Sequence, residues 1–430
     1  MHQRSFKDMP AFDCPAAGAG RRCVGCPATR VRVACDVLVV GAGVAGVAAA
    51  VAAARAGCTT LLLEKMPFLG GTATAGLHRF ICGLYLTDTR EAGEPLNGGI
   101  SREFCRRLGT TAAAAAPVRF GRTFVLPCAT QPLMDVLGAL LSAESGLRVR
   151  RDTEVVAVER DGNRIAAVTA CGPRSLLEVT PRTVVDCSGD VVVLRLAGGP
   201  FGLAAAARRQ LAGFSVFIKG LADVDQTLCL KVPYCLSRGA DEKSLPDCLR
   251  FSTFLAGDRP DEGYLKLGLS PARDPDRSRR ALAAAEQAHR YLRRVLPAFR
   301  ESYVAGTSPY VLEREGARLR GDCTLSEADV LAGRKFPDAI ARAAWPIEFW
   351  DQQRGPRYRY LPPGEYYEVP RRCLRTRKIA NLWCAGRCIS ATPRALASAR
   401  AAGTCLALGE AAGHEAALQA REAQSANGGA

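Results

Sequence analysis

Residues 36–46 read Asp-Val-Leu-Val-Val-Gly-Ala-Gly-Val-Ala-Gly, an apolar strand running into a glycine turn and an alanine-rich helix, and a second apolar run closes on Glu64, eighteen residues past Gly46. Strand, turn, helix, second strand and terminal acid in that order are the fingerprint of a dinucleotide site. Gly41 permits the tight turn, Gly43 lets the backbone approach a pyrophosphate, and Gly46 lets the helix pack closely on the strand; Glu64 accepts a hydrogen bond from an adenosine ribose. The helix N-terminus supplies the anion site. A Gly/Ala-rich helix packed on a core strand explains the small residues alone, but not the acid that follows.

With 430 residues, 48% of them hydrophobic, the chain is long enough for two or three domains of ordinary globular composition. The uncharged run Val37–Ala54 is long enough to span a membrane, yet Asp36 abuts it and its glycines fall at fingerprint spacing, so no transmembrane helix is expected. The first 35 residues carry Arg21, Arg22, Arg30 and Arg32 without a continuous apolar stretch, unlike a secretory signal; cytoplasm is the default compartment. Most of the eighteen cysteines are expected to be reduced core residues in apolar strands, among them Cys187, Cys229 and Cys384. Cys14, Cys23, Cys26 and Cys35 alone are regularly spaced, as C-x8-C-x2-C-x8-C. A disordered basic lead-in is favoured over zinc or an iron–sulfur cluster, because the outer spacings match no common motif. The formal charge of +16 is carried by dispersed arginines, which suit a solvated surface or a funnel for a carboxylate or phosphate better than a nucleic-acid module.

Past Glu64 comes Lys65, then Leu69-Gly70-Gly71-Thr72-Ala73-Thr74, a loop of small residues able to bring N–H groups and hydroxyls against a bulky ligand beyond the pyrophosphate. Thr130–Ser145 reads as an amphipathic helix with Leu133, Val136, Leu137, Leu140 and Leu141 on one face. Strand-like runs follow at 147–150, 154–159 (holding Val155), 164–169 and 176–179, with Asp161-Gly162-Asn163 as a hairpin turn, and a further run, Thr183–Asp186, enters Cys-Ser-Gly189-Asp190. Residues 191–370 mix strands and helices without a second glycine fingerprint. Ile379–Ala385 is then a buried strand, Gly386-Arg387-Cys388-Ile389-Ser390 a turn, Ala395–Ala420 one long helix, and 421–430 a frayed tail.

Together, Asp36–Gly46, Leu69–Thr74, Val184–Asp190, Asn381–Ser390 and the closing Ala395–Gly413 resemble the FAD-dependent oxidoreductase family, related to glutathione-reductase-type flavoproteins. Arg314-Glu315, Arg318, Gly321-Asp322, Leu325, Asp329 and Lys335–Ala341 resemble its arginine-rich internal segment. The resemblance covers residues 36–415 and implies FAD, redox chemistry and an α/β fold: a glutathione-reductase-type, Rossmann-like FAD-binding domain carrying an inserted α+β substrate domain. The expected division is an extension at 1–35, the FAD-binding domain at 36–190 and 371–420, the substrate domain at 191–370, and a tail at 421–430. His78 and Arg79 depart from the family pattern, standing where apolar residues are expected.

The expected FAD-binding residues are Gly41, Gly43, Gly46, Glu64, Lys65, Gly70, Gly71, Thr72, Val155, Gly189, Asp190, Gly386, Arg387, Ile389 and Ser390. Arg387 replaces an acid at this turn and stabilises negative charge on a reduced ring or on the phosphates; anchoring of a helix end or a surface acid is its competing role. His78 is the candidate for proton transfer or covalent flavin attachment, since His2, His289 and His414 fall in a tail, a charged helix and the outer helix. Tyr367 and Arg372 precede the last flavin strand, where a carboxylate held by Arg372 or Arg314 competes with interdomain packing. The expected function is hydride transfer between FAD and a small anionic substrate. A reductase fed by an electron-carrier protein, a flavin-dependent RNA-modifying or RNA-binding protein, and a structural FAD-binding subunit are the alternatives; no membrane partner is expected.

Overall fold

Strand pairing starts ahead of the glycine fingerprint. The computed structural model describes residues 29–111, 116–222, 224–225, 227–271 and 275–428, with side chains to 425. Its first strand runs Arg30–Val40 rather than from Asp36, and pairs in parallel along the whole of Leu176–Asp186. Residues 30–35 are therefore sheet: Arg30 and Arg32 reach Glu178 on the neighbouring strand at 2.9 and 3.1 Å, which lets a polar edge extend an apolar strand. Leu176–Val179 and Thr183–Asp186 merge into one strand.

The main sheet has the order Arg375–Thr376, Ile379–Cys384, Leu176–Asp186, Arg30–Val40, Thr60–Leu63, Leu147–Arg150, parallel except at the first pair. The hairpin Glu154–Asp161 and Arg164–Cys171 turns at Gly162–Asn163 and joins antiparallel to the front half of Leu176–Asp186. The central strands are apolar where both faces are covered, at Val37–Val40, Leu61–Leu63 and Val184–Val185. On one side lie Val44–Arg55, Thr130–Ser142 and Ala402–Gly428; Leu133, Val136, Leu137, Leu140 and Leu141 are all buried there, as periodicity requires. The expected single C-terminal helix is two, Pro393–Ala399 and Ala402–Gly428, broken at Arg400–Ala401, and the second continues through the supposed tail to Gly428. Gly403 explains the approach at the break: a Cβ there would lie 2.7 Å from the Gly83 backbone.

Residues 191–370 do not form one block. Ala212–Lys219, Thr253–Ala256, Glu262–Leu269 and Tyr303–Thr307 make an antiparallel sheet backed by the helices Leu228–Asp241 and Arg277–Val295. Its outer face, Ala212, Phe214, Val216, Ile218, Leu265, Leu267, is the apolar core under those helices. Ala317 and Leu319, and then Leu325, Val330, Ile347, Tyr367 and Val369, pack with the nucleotide-binding core instead. The sheet's inner face carries Gly213, Ser215 and Phe217 opposite Gly268, Lys266 and Tyr264, a composition unsuited to a hydrophobic core and turned toward the loop at 76–80.

No disulfide joins any of the fifteen described cysteines. Cys187 and Cys384 are buried, whereas Cys229 is exposed on the helix Leu228–Asp241 and not in a strand. Cys14, Cys23 and Cys26 lie outside the described residues; Cys35 is buried within the first strand, its thiol pushed up to about 12 by desolvation. No group of metal-ligating side chains occurs among the described residues. Among them no helix is long and apolar enough to cross a membrane.

The two central helices touch backbone to backbone. A Cβ on Gly409 would lie 2.0 Å from the Ala45 carbonyl oxygen, and one on Gly413 would lie 2.1 Å from that of Ala49. Gly409→Ala should therefore cost about 3 kcal/mol by prising the helices apart. Gly138→Ala, in the open helix Thr130–Ser142 with nothing within 4 Å, should gain roughly 1 kcal/mol. Urea unfolding of the two variants checks the opposite signs.

Candidate active site

Three bends from distant parts of the chain meet at the carboxyl ends of three adjacent parallel strands. Gly41 adopts φ +98°, and a Cβ there would sit 2.6 Å from the Cys187 carbonyl oxygen; a Cβ on Gly46 would sit 1.7 Å from the carbonyl oxygen of Gly41. Only glycine fits at either place. Gly43, by contrast, has open space where a Cβ would project, which is what close approach of a ligand requires. The bend at 187–190 is fastened to the first strand by the Cys187 N–H donating to Val40 at 2.8 Å, and the bend at 385–390 to the second by Ala385 N–H donating to Asp186 at 3.1 Å. Gly189 N–H lies 3.1 Å from the Cys388 sulfur.

Asp186 organises this junction and was missed in the sequence, where it read only as a strand end. Fully buried, its carboxylate accepts from the Ser188 hydroxyl at 2.6 Å, Ser188 N–H, and the N–H groups of Val193 and Leu194. Burial raises its pKa while those donors oppose the rise. The signal was present as an acid preceding a short helix.

The helix Val44–Arg55 begins at Gly43 with no side-chain cap, leaving its first N–H groups for an anion. Glu64 is buried and accepts from Ala42 N–H at 2.6 Å and Met66 N–H at 2.8 Å, one on each oxygen; desolvation raises its pKa. Each oxygen retains a lone pair for a ribose hydroxyl. Thr153 N–H donates to the Glu64 carbonyl at 2.8 Å, bringing Val155, whose side chain is in the core, to the same end of the sheet. Gly70 and Gly71 have positive φ, and Gly70 bridges to Gly43. Thr74 Oγ1 is buried without a partner among the described residues. Thr72 and Lys65 are exposed beside this cradle. An open Gly43, spare acceptor capacity on Glu64 and an orphan Thr74 hydroxyl fit a dinucleotide with a bulky second half.

The remaining expected residues divide. Gly386 packs against Ala45, with 3.0 Å between a would-be Cβ and the Ala45 Cβ, so the last bend does join the first. Arg387 is engaged by the protein: its Nε donates to Gly189 O at 2.9 Å, Nη1 to the Glu313 carbonyl, and Nη2 lies 3.6 Å from Asp190. That is the anchoring role. Ile389 is buried, and Ser390 turns inward, its N–H on Cys373 O at 2.8 Å and its hydroxyl 3.0 Å from that of Thr324. Tyr367 is fully buried with its hydroxyl 2.8 Å from that of Ser398, and Arg372 grips Asp338 at 3.0 Å on the surface. Both are packing elements, and the geometry gives neither a place beside a substrate.

His78 has a different setting. Its ring lies against Gly76, 2.7 Å from the place of a Cβ, and Gly76 O accepts from Ser215 on the inner sheet face at 2.7 Å. Arg79 continues the clamp, 3.4 Å from the Tyr264 hydroxyl and paired with Asp258. His78 is half-buried yet enclosed by protein, so desolvation, then Lys266, Arg314 and Arg400, hold its pKa well below the ordinary value. Those causes favour the neutral imidazole. Arg314 and Lys266 flank Gly213, about equally far from its missing Cβ at 3.6 and 3.7 Å, while Arg400 extends from the break between the last two helices to Glu348 O at 3.2 Å. Lys266 is pulled down to about 8 by desolvation and Arg314. Glu348 faces these cations with its oxygens held by the indole N–H groups of Trp350 and Trp345 at 2.8 and 3.1 Å. Of this group the sequence nominated only His78 and Arg314; Lys266 and Arg400 lie in segments that nothing local relates.

The family model described as FAD dependent oxidoreductase matches residues 36–427. The chain belongs to that family. It is an enzyme fold of the α/β FAD-binding flavoprotein type, and it binds FAD. Among solved structures it is similar to a geranylgeranyl bacteriochlorophyll reductase-like protein of Thermoplasma acidophilum (14% identity, 92% of this chain and 80% of that one, TM-score 0.46). It is also similar to the flavin-dependent brominase Bmp2 (14%, 91% and 80%, 0.43) and to the anhydrotetracycline hydroxylase OxyS of Streptomyces rimosus (18%, 77% and 58%, 0.43).

Two outcomes test the site. Glu64→Gln, which keeps the shape and loses the charge, should weaken FAD roughly 10- to 100-fold, read from the fluorescence of released flavin. For His78, the unfolded chain takes up a proton before the folded one does, so stability is complete above about pH 6.5 and is lost as pH falls below it. His78→Gln should reduce the difference in unfolding free energy between pH 7.5 and about 5.5 by roughly 1 kcal/mol, measured by urea denaturation.

Proposed function

We propose that this FAD-dependent oxidoreductase transfers hydride between FAD and a small anionic molecule seated between the inner face of the insertion sheet and the loop at 76–80. The observation that carries the reading is the gathering of Lys266, Arg314 and Arg400 beside His78, on the loop that continues from the nucleotide cradle. When bound, FAD supplies the two-electron acceptor or donor. Glu64 and the N-terminus of Val44–Arg55 hold its nucleotide end, and Gly43, Gly70 and Gly71 admit its backbone-facing parts. Arg387 keeps the bends at 187–190 and 385–390 together, and so shapes the floor without contacting substrate.

The protein's own groups then handle charge and protons. The cations attract and orient an anion in a space from which protein excludes most water. Lys266, pulled down to about 8, exchanges its proton near neutral pH and is suited to take one from a hydroxyl or amine on the substrate. His78, kept neutral, offers one donor and one acceptor. The parallel sheet with its antiparallel hairpin layer supports a glutathione-reductase-type layout for the nucleotide-binding part. Nucleic acid is disfavoured because three acids engage four of the five cations at 371–378: Arg371 pairs with Glu415, Arg372 with Asp338, and Arg375 and Arg377 with Asp322.

Anaerobic mixing of the FAD-loaded protein with a panel of hydroxy acids, amino acids and uncharged alcohols and amines tests this. A carboxylate-bearing donor should bleach the flavin, and neutral analogues of the same carbon skeleton should do so at least tenfold more slowly. Bleaching by neutral donors alone, or by none, overturns the reading.

A further inference from the structure

Three buried hydrogen-bond donors around Trp350 have no acceptor among the described residues: Gln210 Nε2, Arg314 Nη2 and Arg400 Nε. They belong to one cluster. Arg314 stacks over the Trp350 ring at 3.9 Å and donates through Nη1 to Leu211 O at 2.7 Å. Gln210, fully buried, uses its Oε1 to accept from Trp350 N–H at 3.3 Å and Arg400 Nη2 at 3.4 Å. That arrangement leaves its amide nitrogen unmatched. Arg314 is 8% exposed, and its Nη2 is shielded from bulk solvent. An unsatisfied buried donor costs about 1–3 kcal/mol, more when charged, and three side by side describe a receptor whose missing half is an acceptor.

We propose that Gln210, Arg314 and Arg400 grip a single carboxylate group of the substrate, with Lys266 on the sheet face as a fourth donor and third cation. This rests on the redox reading above and narrows it to carboxylate-bearing substrates. The planar guanidinium edges match a carboxylate in a fork-to-fork manner that a lone ammonium does not. Trp350 fixes the plane of Arg314, Gln210 fixes that of Arg400, and Glu348, already held by two indoles, balances part of the charge without entering the fork. Neutral substrates are rejected because they leave the donors unpaired.

The FAD-loaded protein is titrated with acetate, benzoate and fumarate, following flavin absorbance changes and thermal melting, in wild type and in the variants Arg314→Met and Gln210→Glu. At least one carboxylate should raise the melting temperature and perturb the flavin spectrum, with affinity falling tenfold or more in each variant; Gln210→Glu keeps the volume and adds a repelling charge, so it reports even if Arg314→Met folds poorly. Carboxylate affinity should also fall above about pH 8, where Lys266, facing Arg314, Arg400, Glu348 and Cys82, loses its proton, and Lys266→Met should abolish that dependence. Unchanged affinity in the variants overturns the proposal. So does a shift in flavin reduction potential with carboxylate affinity intact, which would assign the donors to the flavin, and so does tighter binding of inorganic phosphate than of any carboxylate. Retained FAD and bleaching by a neutral donor, with no carboxylate effect, sinks this receptor while leaving hydride transfer standing; carboxylate binding with flavin that no donor bleaches sustains the receptor and sinks the hydride reading.

Discussion

The contact between Gly46 and the carbonyl of Gly41 sets the rest of the structure in place. With no side chain at Gly46, the helix Val44–Arg55 starts directly over the end of the first strand, and the same turn presses Gly41 onto the Cys187 carbonyl of the neighbouring strand. Helix, first strand and central strand are thus locked within a few residues of one another. The unpaired N–H groups of the helix face outward beside open space at Gly43, and every residue expected to touch a nucleotide is placed relative to that corner.

The corner alone does not make a site, because half of its walls come from the far end of the chain. Gly409 and Gly413, one helical turn apart, meet Ala45 and Ala49, also one turn apart, and bring two helices to backbone contact. That register draws the bend at 385–390 against Ala45, and the buried Asp186 carboxylate ties in the bend at 187–190. Since these contacts use backbone and small side chains, they tolerate no slack, and a long insertion between residues 191 and 378 leaves them undisturbed. The insertion in turn is free to lay a polar sheet face over the cradle.

How much of this was legible follows from how local each signal is. The glycine fingerprint, Glu64 and the amphipathic helix at 130–142 are short-range patterns, and the structure places them as the pattern demands. The strand at residues 30–35 alternates arginine with valine, but its charge assigned it to the basic lead-in; its pairing with Leu176–Asp186, where Arg30 and Arg32 meet Glu178, lies nearly 150 positions away. The helix break at Arg400 is likewise dictated by tertiary contacts, Gly83 against Gly403 and Glu348 against Arg400, in a stretch whose composition favours uninterrupted helix. Tyr367 and Arg372 were placed correctly along the chain, but proximity to the last flavin strand says nothing of side-chain direction. Tyr367 points into the core and Arg372 out to Asp338.

The buried cations show where local sequence patterns run out, since Lys266 and Arg400 were missed and only Arg314 was nominated. Burial lowers the proton affinity of Lys266, Arg314 and Arg400; Arg314 and Arg400 lower that of Lys266 further, and Arg400 lowers that of Arg314. A core optimised for stability would replace them with apolar side chains of similar volume. Arg314 nonetheless remains charged, stacked on an indole and held by one backbone carbonyl. Lys266 sits opposite Ser215 on a strand pair whose other face is wholly apolar. Such strain is sustained only because the surrounding sheet, the helix break and the Gly76–Ser215 hydrogen bond over-determine the positions of the chain that carries it. On the proposed reading the stability given up here returns as affinity for an anion, since the same desolvation that penalises the free cations strengthens their pairing with a negative group.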